Sequence, residues 1–187
     1  DLNADGEINS NDATRDIGYT DMPEYTAGLN TGFSWKNFDF SMQWTGAWNV
    51  DRMLDEFRRP LGDTNEKGLL LYQYDTTWRS SADTFTAKFP RTSSLHASNN
   101  YAGSDLYLIN ASYLRLKSVE IGYNFNFPFM KKLKMDNCRL YVNGYNLITI
   151  TGFKWGDPES RQSSRPNYPL TRVFNIGLKL RSEEHTS

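Results

Sequence analysis

The 187 residues carry 21 Lys and Arg against 22 Asp and Glu, a formal net charge of −1, which leaves no electrostatic case for nucleic acid or an anionic lipid surface. Mean hydropathy is −0.67 and no run approaches the ~18 apolar residues of a membrane helix, so helical spans are excluded. The one cysteine, Cys138, excludes an internal disulfide and reads as a small apolar filler within a strand.

The chain opens on a pattern of oxygen donors. Asp1, Asn3, Asp5, Asn9 and Asp12 stand at loop positions one, three, five, nine and twelve, with Gly6 at the sharp turn. Glu7 would supply a backbone carbonyl, and Ile8 fits the apolar eighth position. This is the spacing of a Ca2+ loop. Position twelve is Asp rather than a bidentate Glu, which suits a weak extracellular module binding at about 10⁻⁴–10⁻³ M. The expected role of the ion is to staple a loop. The plainer alternative is a solvated Asn/Asp/Gly turn.

Two long alternating runs follow. In the first, over 24–35, Tyr25, Ala27, Leu29, Thr31, Phe33 and Trp35 alternate with Thr26, Gly28, Asn30, Gly32 and Ser34. After Lys36 and Asn37 the second, over 38–50, places Phe38, Phe40, Met42, Trp44, Trp48 and Val50 on one face. Strand side chains alternate faces, so each run has one apolar and one polar side. Soluble strands average about 5–6 residues, whereas a bilayer-spanning strand needs about 9–11, with aromatics near both ends. Both runs match the second description. The two-residue break predicts a hairpin turn. An overall polar hydropathy fits, since half of each such strand faces water.

Residues 51–111 form a long polar connection of the kind that is functional or disordered, with a short helix expected near 51–57 or 64–72. A third strand is predicted over 113–127. Val119, Ile121, Tyr123, Phe125 and Phe127 share its apolar face, but Leu114 and Leu116 have the opposite phase, with Arg115 and Lys117 charged between them. A slip of one residue is what a β-bulge produces, and one is expected near Lys117 and Ser118. Residues 128–136 place Phe129, Met130 and Leu133 at helical spacing. A fourth strand is predicted over 138–150, a polar loop over 151–168 and a fifth strand over 170–180. Phe174, Ile176, Leu178 and Leu180 alternate there with Asn175, Gly177 and Lys179, and Arg172 falls on the apolar face at the strand's start. Residues 181–187, RSEEHTS, break the alternation and resemble a translated sequencing adapter, so they read as a non-native tail.

Connections alternate short and long, as in bacterial outer-membrane barrels with short periplasmic turns and long extracellular loops. On that scheme residues 36–37 and 128–136 are periplasmic, and 1–23, 51–111 and 151–168 are extracellular. The five strands cannot close a barrel, and with no signal peptide at its start the chain reads as a fragment. No catalytic constellation is present: His96 and His185 lie far apart, and neither a Ser-His-acid set nor zinc spacing occurs. Trp78 and Trp155, in the loops, are the candidate substrate-binding residues, by stacking on sugars.

Taken together, these stretches resemble the C-terminal part of SusC/RagA-type TonB-dependent outer-membrane transporters of Bacteroidetes. The resemblance rests on the residues of 1–12 with Ile17-Gly18 and Pro23, on Trp35-Lys36-Asn37-Phe38-Asp39-Phe40-Ser41, and on the run from Ser112 to Tyr123. It continues through Arg139 to Leu147, Asp157-Pro158-Glu159, Tyr168 to Arg172 and Ile176-Gly177-Leu178. It implies an all-β fold: about five antiparallel strands of a large transmembrane barrel of about 22 strands with a plugged lumen. It also implies a segment of an energy-coupled importer of glycans or other large nutrients such as peptides, without catalysis. The implied partners are a SusD-like lipoprotein, the lipid bilayer, and TonB-ExbB-ExbD through an N-terminal part not in this sequence. The family usually closes with an aromatic after the last strand, where this chain has Ser182. The rival reading is a Ca2+-stabilised extracellular binding or adhesion module, since residues 1–12 also resemble a dockerin loop. That module would need a second such loop and helices. A soluble β-sandwich would have shorter strands and no rows of Phe, Trp and Met on its outer face.

Overall fold

The computed structural model describes the chain apart from residues 8, 56–69, 93–97, 126–127, 129–134, 161–169 and 183–187. The chain forms two units. A sheet unit comprises residues Glu24–Trp48, Ser112–Glu159 and Tyr168–Ser187, and a loop unit comprises Asp1–Pro23, Asn49–Ala111 and Ser160–Asn167.

The sheet unit is one antiparallel sheet. Its strands are β1 (Tyr25–Trp35), β2 (Phe38–Trp48), β5 (Tyr113–Phe125), β6 (Met135–Thr151) and β7 (Val173–Ser182), in the order β1-β2-β5-β6-β7. β1 and β2 pair end to end through the Lys36-Asn37 turn, where Lys36 takes φ +54° and its ammonium sits 4.9 Å over the Trp35 ring.

Register turns the alternation of each strand into rows across all five. Phe33, Phe40, Ile121, Val142 and Ile176 stand in one line, and Trp35, Phe38, Tyr123, Leu140 and Leu178 in another. Between them on the opposite face run Ser34, Asp39, Gly122, Tyr141 and Gly177, and then Gly32, Ser41, Glu120, Asn143 and Asn175. The apolar face has no protein partner among the described residues: Ile176 is 77% and Phe33 62% exposed. A face this large and apolar is covered by something other than water. Tyr25 and Trp48 mark one end of it, and Trp35 and Phe38 the other.

The bulge falls at Lys117. β5 skips this residue when it pairs with β2, where Ser118 opposes Gln43 and Leu116 opposes Trp44. β6 answers with an irregularity of its own, leaving Asn146, at φ +54°, and Leu147 outside the ladder. The extra residue keeps Leu114 and Leu116 on the apolar face above Val119.

Several elements differ from the sequence reading. β2 stops at Trp48 because Asn49 adopts φ +54°, so Val50 leaves the strand and is 1% exposed in the loop unit. β6 reaches back to Met135, β7 starts at Val173, and Arg181 and Ser182 still pair with Asn137 and Met135. The expected helical residues Phe129, Met130 and Leu133, and residues 183–187, lie outside the described residues.

In the loop unit, Asp51–Met53 forms a short strand, β3, rather than a helix, and pairs with β4 (Leu108–Asn110). The helix α1 lies at Leu71–Thr76. Val50, Leu54, Phe89, Tyr107 and Ala111 form the buried core of this unit. Asp51 ties it together: its carboxylate accepts from the Tyr19 amide at 2.8 Å and from Asn110 Nδ2 at 3.3 Å. Among the described residues no helix is long and apolar enough to cross a membrane.

Candidate functional site: the polar sheet face and the Trp78 cavity

The polar face of the sheet is organised by two arginines. Arg139 on β6 reaches across β5 to Asp39 on β2. Its Nε donates to Asp39 Oδ2 at 3.0 Å, and its Nη2 donates both to Asp39 Oδ1 and to Glu120 Oε1, the latter at 2.7 Å. Gly122 makes the crossing feasible, because a Cβ there would lie 2.5 Å from Arg139 Nε. Asn124, Asn143 and Asn175 extend the network, with Asn143 donating to Glu120 at 3.3 Å and Asn175 to Asn143 at 2.9 Å. Arg139 and Asp39 are only partly buried, so the cluster is a hydrated charge lattice.

Arg115 is different. Its side chain is 3% exposed, and all three of its donor nitrogens are used. Nε donates to Thr149 Oγ1 at 3.0 Å, Nη1 to Glu159 Oε2 at 2.7 Å and Nη2 to Asp157 Oδ1 at 2.6 Å. Asp157 also accepts from the Glu159 amide at 2.9 Å, which shapes the turn. Lys117, the bulge residue, adds a 3.2 Å contact to Glu159. The result is a clamp that fixes the turn at 157–159 to β5. Sequence reading saw Arg115, Lys117 and the Asp157-Pro158-Glu159 motif separately. Nothing in the spacing announced that they meet, although two cations flanking a predicted bulge were a usable signal.

Trp78 lines a cavity of about 430 Å³ in the loop unit, together with Ala87, Lys88, Phe89, Pro90, Arg91, Asn100 and Leu106. Its walls are held by backbone. Thr77 bridges Phe89 in parallel, the Trp78 amide donates to Phe89 O at 2.9 Å, and Thr77 Oγ1 donates to Pro90 O at 2.7 Å. The third wall is fixed by Tyr107 Oη donating to Asn100 O at 2.7 Å. The neighbouring helix closes on Arg79, whose Nη2 donates to Tyr74 O at 2.5 Å while its guanidinium sits 4.3 Å over the Tyr74 ring. Asp83 accepts from the Ser80 and Arg79 amides, which hold its carboxyl below the usual aspartate range. Trp155 is a partly buried residue of the turn after β6, in the sheet unit.

The 1–12 loop is closed by its own hydrogen bonds. Asp1 accepts from the amides of Asp5 at 3.1 Å and Gly6 at 2.9 Å, and Gly6 takes φ +87°. Asn3 donates to Asp5 at 2.9 Å. Glu7 donates its amide to Asp5 at 2.8 Å, and Asn9 caps the following turn through the Asn11 amide. Asp12 is engaged by backbone amides. It accepts from Leu2, Asn3 and Asn9 amides at 2.7, 3.3 and 2.8 Å. These amides, Asn9 foremost, hold its carboxyl below the usual range. Among the described residues no group of three His, Cys, Asp or Glu side chains converges as a metal site would require.

No family model matches the chain. It does match curated proteins along nearly its full length. It is 29% identical to "TonB-dependent receptor P3" of Formosa agariphila over 97% of this chain and 18% of that protein. It is 28% identical to "TonB-dependent receptor SusC" of Bacteroides thetaiotaomicron over 96% of this chain and 17% of that protein. The chain is a relative of the SusC/RagA-type TonB-dependent receptors. Its fold is similar to part of the RagAB peptide transporter, with a TM-score of 0.68 and 22% identity over 93% of this chain and 19% of that one. The RagAB importer in its "closed-closed" state superposes equally well, at 0.68. The chain therefore spans less than a fifth of the length of these curated relatives. Its five antiparallel strands are a segment of an outer-membrane β-barrel, and the uncovered apolar rows are the surface such a barrel turns to lipid.

Proposed function

We propose that this chain is part of an energy-coupled importer that carries glycans or other large nutrients, peptides included, across the outer membrane. The observation that carries the reading is the pair of rows at the centre of the sheet. Phe33, Phe40, Ile121, Val142 and Ile176 lie on one side, and Gly32, Ser41, Glu120, Asn143 and Asn175 on the other. This is a barrel wall with a lipid side and a wet lumen. The connecting segments 1–23, 51–111 and 151–168 are extracellular in this reading, and the Lys36-Asn37 turn is periplasmic. Binding outside and movement through the lumen require no bond chemistry from these residues. A SusD-like lipoprotein at the outer face and TonB at the inner face complete the machine. The names of the relatives, a TonB-dependent receptor and the RagAB peptide transporter, support the importer reading and TonB as its inner partner.

The experiment is growth of a strain lacking the full-length receptor on single oligosaccharides and peptides as sole nutrients. The expected result is loss of growth on at least one of them, restored by the receptor gene only when TonB is present. Normal growth on every nutrient, with loss of surface adhesion instead, would favour the Ca2+-stabilised binding module.

A further inference from the structure

Resting on the importer reading, we propose that the Trp78 cavity is a subsite for an anionic saccharide, one carrying carboxylate or sulfate groups. Four features of the cavity lead there. Its volume of about 430 Å³ falls in the range of small-ligand pockets and fits one or two sugar rings rather than a large side-chain cluster. Its lining joins an indole, Trp78, with the apolar Ala87, Phe89, Pro90 and Leu106, surfaces on which the C–H faces of a sugar pack.

Its charged lining is Lys88 and Arg91, and among the described residues no carboxylate lines it. Such a wall attracts an anion, and a guanidinium receives carboxylate or sulfate through paired N–H donors. Asn100 adds an amide. Its Nδ2 reaches Arg91 O at 3.4 Å, and its Oδ1 is an acceptor suited to a sugar hydroxyl.

The cavity is also a built one. Three chain segments form it, and each is fixed by backbone or buried hydrogen bonds, the Thr77–Phe89 bridge and the Tyr107–Asn100 bond above all. Phe89 beneath it is 9% exposed and stacks edge-on against Tyr72 at 5.9 Å. The buried floor at Phe89 is fixed by these contacts, with the exposed cations at its open rim, which lowers the ordering cost of binding on the floor. A peptide recognised by backbone pairing would instead need an open strand edge, and the described part of the cavity offers a closed bridge.

The test uses the full-length receptor in detergent, with calorimetric titration of an oligogalacturonate, a sulfated oligosaccharide, neutral maltoheptaose and an oligoglutamate peptide. At least one anionic saccharide is expected to bind more tightly than maltoheptaose. Trp78→Ala should weaken it by about tenfold or more, and Trp78→Phe, which keeps a ring and guards against misfolding, by much less. The Lys88→Gln/Arg91→Gln double variant should remove the preference over maltoheptaose and flatten the salt dependence. Binding of anionic saccharide that is indifferent to Trp78→Ala, or tight binding of the oligoglutamate alone, would overturn the inference. TonB-dependent growth on a nutrient, with no saccharide binding at Trp78, would overturn it while leaving the importer reading intact. Saccharide binding lost in Trp78→Ala, without any TonB-dependent growth, would support the subsite and contradict the importer.

Discussion

Arg115 and Glu120 face the same side of β5 although they stand five positions apart. In a regular strand an odd spacing puts two side chains on opposite faces. Here Arg115 opposes Thr45 and Glu120 opposes Ser41, both on the polar face of β2, because Lys117 is absorbed in a bulge. Were Lys117 kept in the ladder, the Arg115 guanidinium would share the lipid side with Val119. There it would cost roughly 2–4 kcal/mol at mid-membrane depth.

Inserting one residue after Lys117 should therefore do more harm than removing its charge. The insertion sends Arg115, Leu114 and Leu116 to the wrong faces, because the bulge already absorbs one extra residue, whereas Lys117→Gln loses only a half-exposed contact to Glu159. The check is the heat-modifiable gel mobility of the full-length receptor recovered from outer membranes. Lys117→Gln should behave like the parent, and the insertion should leave little folded barrel.

The clamp itself gives a graded prediction. Arg115→Met leaves Asp157, 11% exposed, as a carboxylate without its cation, a change that typically costs about 3–5 kcal/mol for a buried pair. Glu159 is 40% exposed, so Glu159→Gln should cost less than about 1 kcal/mol. Urea unfolding of the full-length receptor in micelles would separate them. The Arg115→Met/Asp157→Asn pair should recover part of the loss, since it removes the orphaned charge.

Gly122 and Gly152 form a matched pair. A methyl group at Gly122 meets the Arg139 guanidinium, while one at Gly152 has nothing within 4 Å. Gly122→Ala should cost up to about 1 kcal/mol, by pushing the partly exposed Arg139 off Asp39, and Gly152→Ala should be neutral. Equal effects in the same unfolding assay would contradict the crossing seen here.

The pH dependence of the 1–12 loop follows from Asp12. Its pKa is depressed in the folded loop, by the Asn9 amide first and then by those of Leu2 and Asn3. The closure is thus complete above the ordinary aspartate pKa and is lost as pH falls through the lower, folded value. NMR titration of the Leu2 and Asn9 amides should show a midpoint below that of an unstructured aspartate. The same spectra test the calcium proposal for Asp1, Asn3, Asp5, Glu7, Asn9 and Asp12. Binding at about 10⁻⁴–10⁻³ M should pull Asp12 from its amides and shift Leu2 and Asn9, and no shift up to that range would refute it.

Much of the sheet could be read from the chain because long strands carry their own period. β1 and β2 each show 11 residues of alternation, and the Lys117 bulge was visible because Arg115 and Lys117 sit out of phase with Val119. β3 and β4 were not legible, since three residues hold no period, and Asp51–Met53 took a helix's place in the reading. The short helix at Leu71–Thr76 starts after Leu70, which has no capping side chain, and only Gln73 reaching back to the Leu70 amide marks its start. Of the site, Trp78 was found by residue type alone. Its partners Lys88, Arg91 and Asn100 converge through the Thr77–Phe89 bridge, a tertiary contact with no local signal.

The central claim is that alternate residues of these strands face lipid and water. The most direct measurement is a nitroxide scan of β7 from Phe174 to Lys179 in the full-length receptor, with Cys138 replaced by Ala, in bilayers. Phe174, Ile176 and Leu178 should be relaxed by oxygen dissolved in the lipid, and Asn175, Gly177 and Lys179 by a water-soluble nickel chelate. Uniform access to the chelate along the strand, or the reverse alternation, would contradict the account.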